Sequence, residues 1–178
     1  MKPLRVAFGM LVSLVLLLLV IGFFLPTDYH VTRSRTVRAS CEEAYAVVED
    51  LETYGYWMPW LEKDPTAKIV VGEPSRGEGA RYRWTSEKVG SGAYVIRKAE
   101  PYARVLAEID FGEMGKSEVY FVFEGDGATC DVVWGFRGEG QGPRPLAGWF
   151  ATLMDAMVGR DFERGLARIA SLAENEDT

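Results

Sequence analysis

Histidine and cysteine are almost missing from this chain, which has 178 residues, one His and two Cys. His30, Cys41 and Cys130 are too few and too scattered for a zinc site or a Ser-His-Asp relay. Neither a metal nor a cofactor is therefore expected. Acidic residues are missing from the first 25 positions, where Lys2 and Arg5 are the only charges. The rest of the chain holds the other 18 Lys+Arg and all 26 Asp+Glu, a net charge of −8. An acidic body offers no phosphate-binding face, so nucleic acid is not an expected partner. Internal repeats and low-complexity tracts are absent as well. With 48% hydrophobic and 12% aromatic residues, disorder is excluded.

The longest feature is apolar. Val6 to Leu25 is twenty residues with no charge and one hydroxyl, Ser13. At about 1.5 Å per residue it reaches roughly 30 Å, the thickness of a bilayer core. A secretory signal has a hydrophobic stretch of about 7–15 residues and a small-x-small cleavage site. Here the run ends Gly22-Phe23-Phe24-Leu25-Pro26, without such a site. Residues 1–25 therefore read as an uncleaved anchor, with membrane contact through residues 6–25 and a cleaved signal as the alternative. Lys2 and Arg5 precede the span, and Arg33, Arg35 and Arg38 follow it, so the positive-inside count is nearly balanced. The short basic start leans toward a body outside the cytoplasm. Residues 26–30 form a tether of at most about 17 Å, which keeps the body at the membrane surface.

The body, residues 31–174, alternates between short elements, and residues 175–178 are a tail. Val31 to Arg38 reads as a strand. Ser40-Cys41-Glu42-Glu43 is a capping box, and Ala44, Val47, Val48 and Leu51 give the following helix its apolar face. Thr53 to Met58 reads as a short helix stopped by Pro59. Six strand-like runs follow: Ala67–Val71, Ala80–Thr85, Ala93–Arg97, Arg104–Phe111, Ser117–Glu124 and Cys130–Arg137. Gly, Pro or Asp stands between them, which predicts an antiparallel meander. A helix of about 29 residues closes the chain, with Gly159 a point where it could bend. The aromatic residues of each strand share one parity, and Arg81, Arg83, Arg97, Arg104, Asp110, Glu118 and Asp131 hold the other. The reading is α+β: a curved seven-stranded antiparallel sheet, wet outside and aromatic inside, wrapped around one long C-terminal helix.

This order of elements resembles the SRPBCC superfamily, which includes START lipid-transfer domains and the birch-pollen allergen fold. The likeness is strongest to its membrane-anchored polyketide cyclase/dehydrase-like group. It rests on Val31-x-Arg33-Ser34, Trp57-x-x-Trp60, Asp64-Pro65, Gly77-x-Gly79, Trp84, Gly90-x-Gly92, Trp134 and Gly159-Arg160-Asp161-Phe162-Glu163-x-Gly165-Leu166. The resemblance implies a helix-grip fold with a hydrophobic cavity, and it does not imply a reaction. Two positions depart from the family pattern. Arg35 stands where relatives carry an aliphatic residue, and the Pro usual near Cys41 is missing. Arg35 is either a cation that snorkels out at a strand end or an inward one that meets an anionic headgroup, Asp155 or Asp161. In the family's topology the first and last strands pair, which brings Cys41 near Cys130. The resemblance thus allows a disulfide in an oxidising compartment, with two free thiols as the alternative.

Candidate ligand-binding residues are Trp57, Trp60, Tyr82, Trp84, Tyr94, Phe111, Phe121, Trp134, Met154 and Met157. Trp57 and Trp60 are expected at the cavity mouth, and the two methionines give the helix side a pliable wall. Ordinary core packing would use the same residue types. Asp155, Asp161 and Tyr82 are the candidate catalytic groups, although solvated faces and ion pairs with Arg160 or Arg164 explain the two acids equally well. Tyr82 and Tyr94 could act as acids, but nothing places a base beside them. His30 lies in the tether, far from any cavity. Gly138-Glu139-Gly140-Gln141-Gly142 lacks the Lys and Ser/Thr of a phosphate loop and reads as a plain loop. The expected partner is a lipid or other hydrophobic small molecule, bound without catalysis. A cyclase or dehydratase on an apolar substrate is the first rival, and an interaction module with a filled cavity is the second.

Overall fold

The computed structural model describes residues 2–174. Met1 and the expected tail, 175–178, lie outside the described residues. The first helix, α1 (Lys2–Phe24), is apolar on every side and almost wholly exposed. Its segment Pro3–Phe24 is long and apolar enough to cross a membrane, and a signal sequence would share that composition.

The first strand, β1 (Asp28–Val37), begins earlier than its Val/Thr pattern predicts. Asp28, Tyr29 and His30 pair with Glu139, Gly138 and Arg137 of the last strand. Tyr29 is buried, and its hydroxyl meets Ser117 Oγ at 2.7 Å. These contacts pull three of the five residues of the expected tether into the sheet, so only Leu25–Thr27 link α1 to β1. His30 is thus a strand residue on the outer face, where its ring lies 2.7 Å from the Tyr120 hydroxyl.

The capping box forms as written: Ser40 Oγ accepts from the Glu43 amide and the Glu43 carboxylate accepts from the Ser40 amide. It opens α2 (Cys41–Glu49). The short helix expected over 53–58 is α3 (Tyr54–Trp57), and a second turn not expected from the sequence, α4 (Trp60–Lys63), follows Pro59. Pro59 lacks the amide that would continue the first, and its fixed φ suits the start of the second.

Strands β2 (Lys68–Val71), β3 (Arg81–Thr85), β4 (Gly92–Glu100), β5 (Arg104–Asp110), β6 (Lys116–Gly125) and β7 (Cys130–Glu139) complete one antiparallel sheet. Its order is β1-β7-β6-β5-β4-β3-β2. The aromatic parity is the buried one, and Tyr82, Tyr94, Phe121, Phe123, Trp134 and Phe136 all face inward. The opposite face carries ion pairs such as Arg97–Glu108 and Lys116–Glu108, at 2.8 and 2.9 Å, and Arg137–Glu118.

The last helix, α5 (Arg144–Ala173), lies along β1 and across the inner face. Its grip point is a stack of Phe162 on Trp134, with ring centroids 4.1 Å apart and planes 7° off parallel. Gly165 makes room for it, since a Cβ there would come within 2.5 Å of the Trp134 ring. At the far end of the sheet Cys41 and Cys130 are joined by a disulfide that ties the start of α2 to the start of β7.

Candidate functional site

The sheet has curved away from α5 before the helix begins to pack tightly, and a cavity of about 260 Å³ is left between them. Every one of the ten residues expected to line a pocket does so: Trp57, Trp60, Tyr82, Trp84, Tyr94, Phe111, Phe121, Trp134, Met154 and Met157. Trp57 takes a different place from the expected one. It is fully buried in the floor, edge-on to Trp134 and Phe121 at 5.5 and 5.8 Å, and not at the mouth. Trp60 is half-buried against Trp134 and Phe162.

One end of the cavity is a tyrosine cluster. Tyr82 lies 4.2 Å from Tyr54 and 5.3 Å from Tyr94, centroid to centroid. Burial pushes the Tyr54, Tyr82 and Tyr94 hydroxyls well above the usual phenol range, and Tyr54 adds to the effect on Tyr82. All three stay protonated at neutral pH and act as hydrogen-bond donors, not as bases, with the Tyr82 hydroxyl engaged by Tyr54. Among the described residues the cavity wall holds no carboxylate, imidazole, thiol, ammonium or guanidinium. The indole N–H groups of Trp57 and Trp134 have no hydrogen-bond partner among the described residues.

The two candidate acids fall outside the wall. Asp155 is exposed and forms a bidentate pair with Arg33, at 2.8 and 3.0 Å. That pair holds its carboxyl below the usual range. Asp161 is buried, and its environment works both ways: burial pushes its carboxyl up, but Lys63 at 2.7 Å and Arg164 at 2.5 Å hold it low. Both acids are thus committed to cations on the rim and the back of α5. Arg35 is also a correction. It has the inward parity of Val31 and Val37, yet it is exposed, so it takes the snorkelling alternative and not the inward one. Arg33, two residues earlier, is the cation that turns in under α5.

Several wall residues carry weaker sequence signals. Tyr54 stands three positions before Trp57, on the same side of a short helical turn. Phe150 stands one turn before Met154 on α5. Tyr29 belongs to the stretch read as tether, and Leu61 to a turn hidden behind Pro59. A larger, shallower depression of about 530 Å³ lies on the outer face of the sheet. Its charged side chains, such as Arg97, Glu108, Lys116 and Arg137, are held in ion pairs.

Comparison with known proteins agrees with this geometry. Residues 28–174 match the family described as "Polyketide cyclase / dehydrase and lipid transport". No curated protein matches the chain. Among solved structures, the Zhui aromatase/cyclase from Streptomyces sp. R1128 is similar, with 17% identity and a TM-score of 0.62 over 83% of this chain and 94% of that one. A protein from Thermus thermophilus has 20% identity and a TM-score of 0.60, over 84% of this chain and 99% of that one. A Staphylococcus aureus protein of unknown function has 14% identity and a TM-score of 0.62, over 83% and 96%. At these identities the likeness is one of fold.

Proposed function

Because the chain belongs to the polyketide cyclase/dehydrase and lipid transport family, we propose that it is a membrane-tethered binder of a lipid or other hydrophobic small molecule. α1 is its anchor, Leu25–Thr27 its tether, and the rest of the described chain its binding domain. The ligand sits in the cavity between α5 and the sheet and is held there without being transformed.

The observation that carries this reading is the chemistry of the wall. Aromatic, aliphatic and methionine side chains make it, and its polar groups are phenol and indole donors. Such a wall stabilises apolar surface by roughly 25 cal/mol per Å² buried. Raised phenol pKa values leave it with donors that fix the orientation of a ligand oxygen. A volume of about 260 Å³ lies just under the usual 300–1,000 Å³ of ligand pockets, so the ligand is small or only one apolar arm of it enters.

The rival reading, an enzyme of the cyclase or dehydratase type, draws on the tyrosine cluster and on the likeness to an aromatase/cyclase. It needs a proton acceptor in the wall. The experiment that separates them is native mass spectrometry of the full chain purified in a mild detergent, followed by solvent extraction of what it carries. A defined lipid or apolar metabolite, recovered unchanged after incubation with the protein, supports the binder. A bound compound that the protein converts supports the enzyme. An empty protein that takes up no fluorescent fatty acid overturns both.

A further inference from the structure

The first third of α5 is unlike the rest of it. Pro145 to Met154 is ten residues without a charge, and charges resume at Asp155. Within and just past this stretch Leu146, Phe150, Leu153 and Met157 are 59, 42, 50 and 57% exposed. Their spacing of four, three and four puts them on one stripe of the helix. In water, a contiguous apolar stripe of this kind is an unmet surface.

The same stretch is the part of α5 that touches α1. Trp149 Nε1 donates to the Leu18 carbonyl at 2.9 Å, and Arg144 Nε donates to the Phe23 carbonyl at 3.0 Å. Gly22 and Gly148 let the two backbones meet: a Cβ on Gly22 would lie 2.5 Å from the Pro145 carbonyl, and one on Gly148 would overlap the Gly22 carbonyl.

We propose that this stretch of α5 lies in the membrane beside α1, and that the cavity mouth opens onto lipid. The ligand then enters sideways, as a membrane-dissolved apolar molecule. The inference rests on the reading of α1 as a spanning anchor, and given that reading the depth follows from lengths. The uncharged run of α1 is about as long as the hydrocarbon is thick, so its C-terminal end stands at one surface with no slack. Leu18 lies six residues, or about 9 Å, inside that end. Trp149, bonded to Leu18, is therefore below the surface, and Arg144, bonded to Phe23, is at it. An arginine at the surface and a tryptophan in the interface are the usual anchors of such a geometry. Interfacial helices bury their apolar faces about 5–10 Å deep, which matches the depth of Trp149. Phe150 and Met157 belong both to the stripe and to the cavity wall, so the rim of the mouth is itself the lipid-facing surface.

The test uses the full chain in vesicles of phosphatidylcholine and phosphatidylglycerol. An environment-sensitive nitrobenzoxadiazole label is attached to Leu153→Cys, Met157→Cys, Leu14→Cys or Asp126→Cys. The native cysteines are paired and do not react. The expected result is quenching at 153 and 157 by a doxyl lipid labelled high on its acyl chain, with loss of the iodide quenching seen at 126. Label at position 14 should be quenched by a doxyl group deep in the chain. Lipid contact at 14 with water contact at 153 and 157 overturns the proposal and leaves the anchor standing. Water contact at 14 overturns the anchor, and the proposal with it. Lipid contact at 153 with water contact at 157 places the helix in the membrane but overturns the lipid-facing mouth.

Discussion

Gly159 presents bare backbone to the guanidinium of Arg33, and a Cβ at residue 159 would overlap its Nη2 and Cζ. Arg33 uses that opening to reach Asp155 on one side and Glu163 on the other, at 2.8 and 3.0 Å. The glycine is therefore a passage for a side chain of β1 within the unbroken helix α5. Gly159→Ala should push the guanidinium, the movable end of a long side chain, off its two ion pairs, a loss of about 1 kcal/mol or less that the better helix propensity of alanine partly offsets. The clash is specific, so Arg33→Ala in the same chain should remove most of that loss. Urea denaturation of the two single variants and the double variant measures it. Additive losses would show that Arg33 is not the obstacle.

The cavity can be closed without touching its polar groups. Val119 is a buried wall residue of β6. Val119→Phe should fill part of the space and weaken uptake of a fluorescent fatty acid at least tenfold, which is about 1.4 kcal/mol. The melting temperature should stay within a few degrees, since the added ring occupies an existing void. Unchanged uptake would mean that the probe binds elsewhere.

Asp64 is buried and accepts hydrogen bonds from Ser86 Oγ and Thr66 Oγ1, both at 2.6 Å, and from the Thr66 amide at 3.0 Å. These donors, Ser86 foremost, bring its carboxyl down from 3.8 to about 2. Above pH 3.8 the carboxylate is ionised folded or unfolded, and its full contribution to stability is present. Below that the unfolded chain takes up a proton that the folded chain refuses, so stability falls until the folded group titrates near pH 2. Asp64→Asn should flatten the fall in urea midpoint between about pH 4 and pH 2 and lower the midpoint at neutral pH. A wild-type slope retained in the variant would assign the acid sensitivity to other groups.

The disulfide closes a loop with a sequence separation of 89. Chain entropy alone then gives it roughly 4 kcal/mol, a figure that depends on the loop-closure account. Purified full chain should take up no alkylating reagent until reduced and two equivalents afterwards. Cys41→Ala with Cys130→Ala should lower the melting temperature by several degrees. Two adducts before reduction would contradict the bond and would also weaken the placement of the body in an oxidising compartment.

The fold was legible because its signals are local. Alternation with aromatic residues on one parity marked the sheet, and the capping box marked α2. Composition marked α1. The ten pocket residues were legible for the same reason, since inward parity on a curved sheet that grips a helix leads to its cavity. What the sequence hid was arrangement in space. Arg33 and Arg35 have the same parity, yet Arg33 is half-buried in ion pairs with α5 and Arg35 is exposed, a difference that parity does not carry. An ion pair of Asp161 with Arg164 is readable from their spacing and is present, but Arg33 beside Asp155 and Lys63 beside Asp161 come from far away in sequence. Asp28–His30 looked like a linker because their pairing partners lie more than a hundred residues downstream.

The contact between α1 and α5 gives the last prediction. Gly148 is buried against α1, and any side chain there must displace Gly22 or Leu25. Helices pack this closely only through small residues, so Gly148→Leu should part α1 from α5 while the grip at Trp134 and Phe162, three turns and more away, is kept. The Trp149 indole proton reports the event directly, because it is bonded to the Leu18 carbonyl. In the native chain it should exchange slowly with solvent deuterium, and in Gly148→Leu it should exchange at the rate of a free indole. The Trp134 indole proton, buried under α5, should keep its native rate in both. If Trp149 stays protected in the variant, the glycine contact does not hold the helices together. If Trp134 also loses protection, the substitution has loosened α5 as a whole, and the two helix contacts are one cooperative unit.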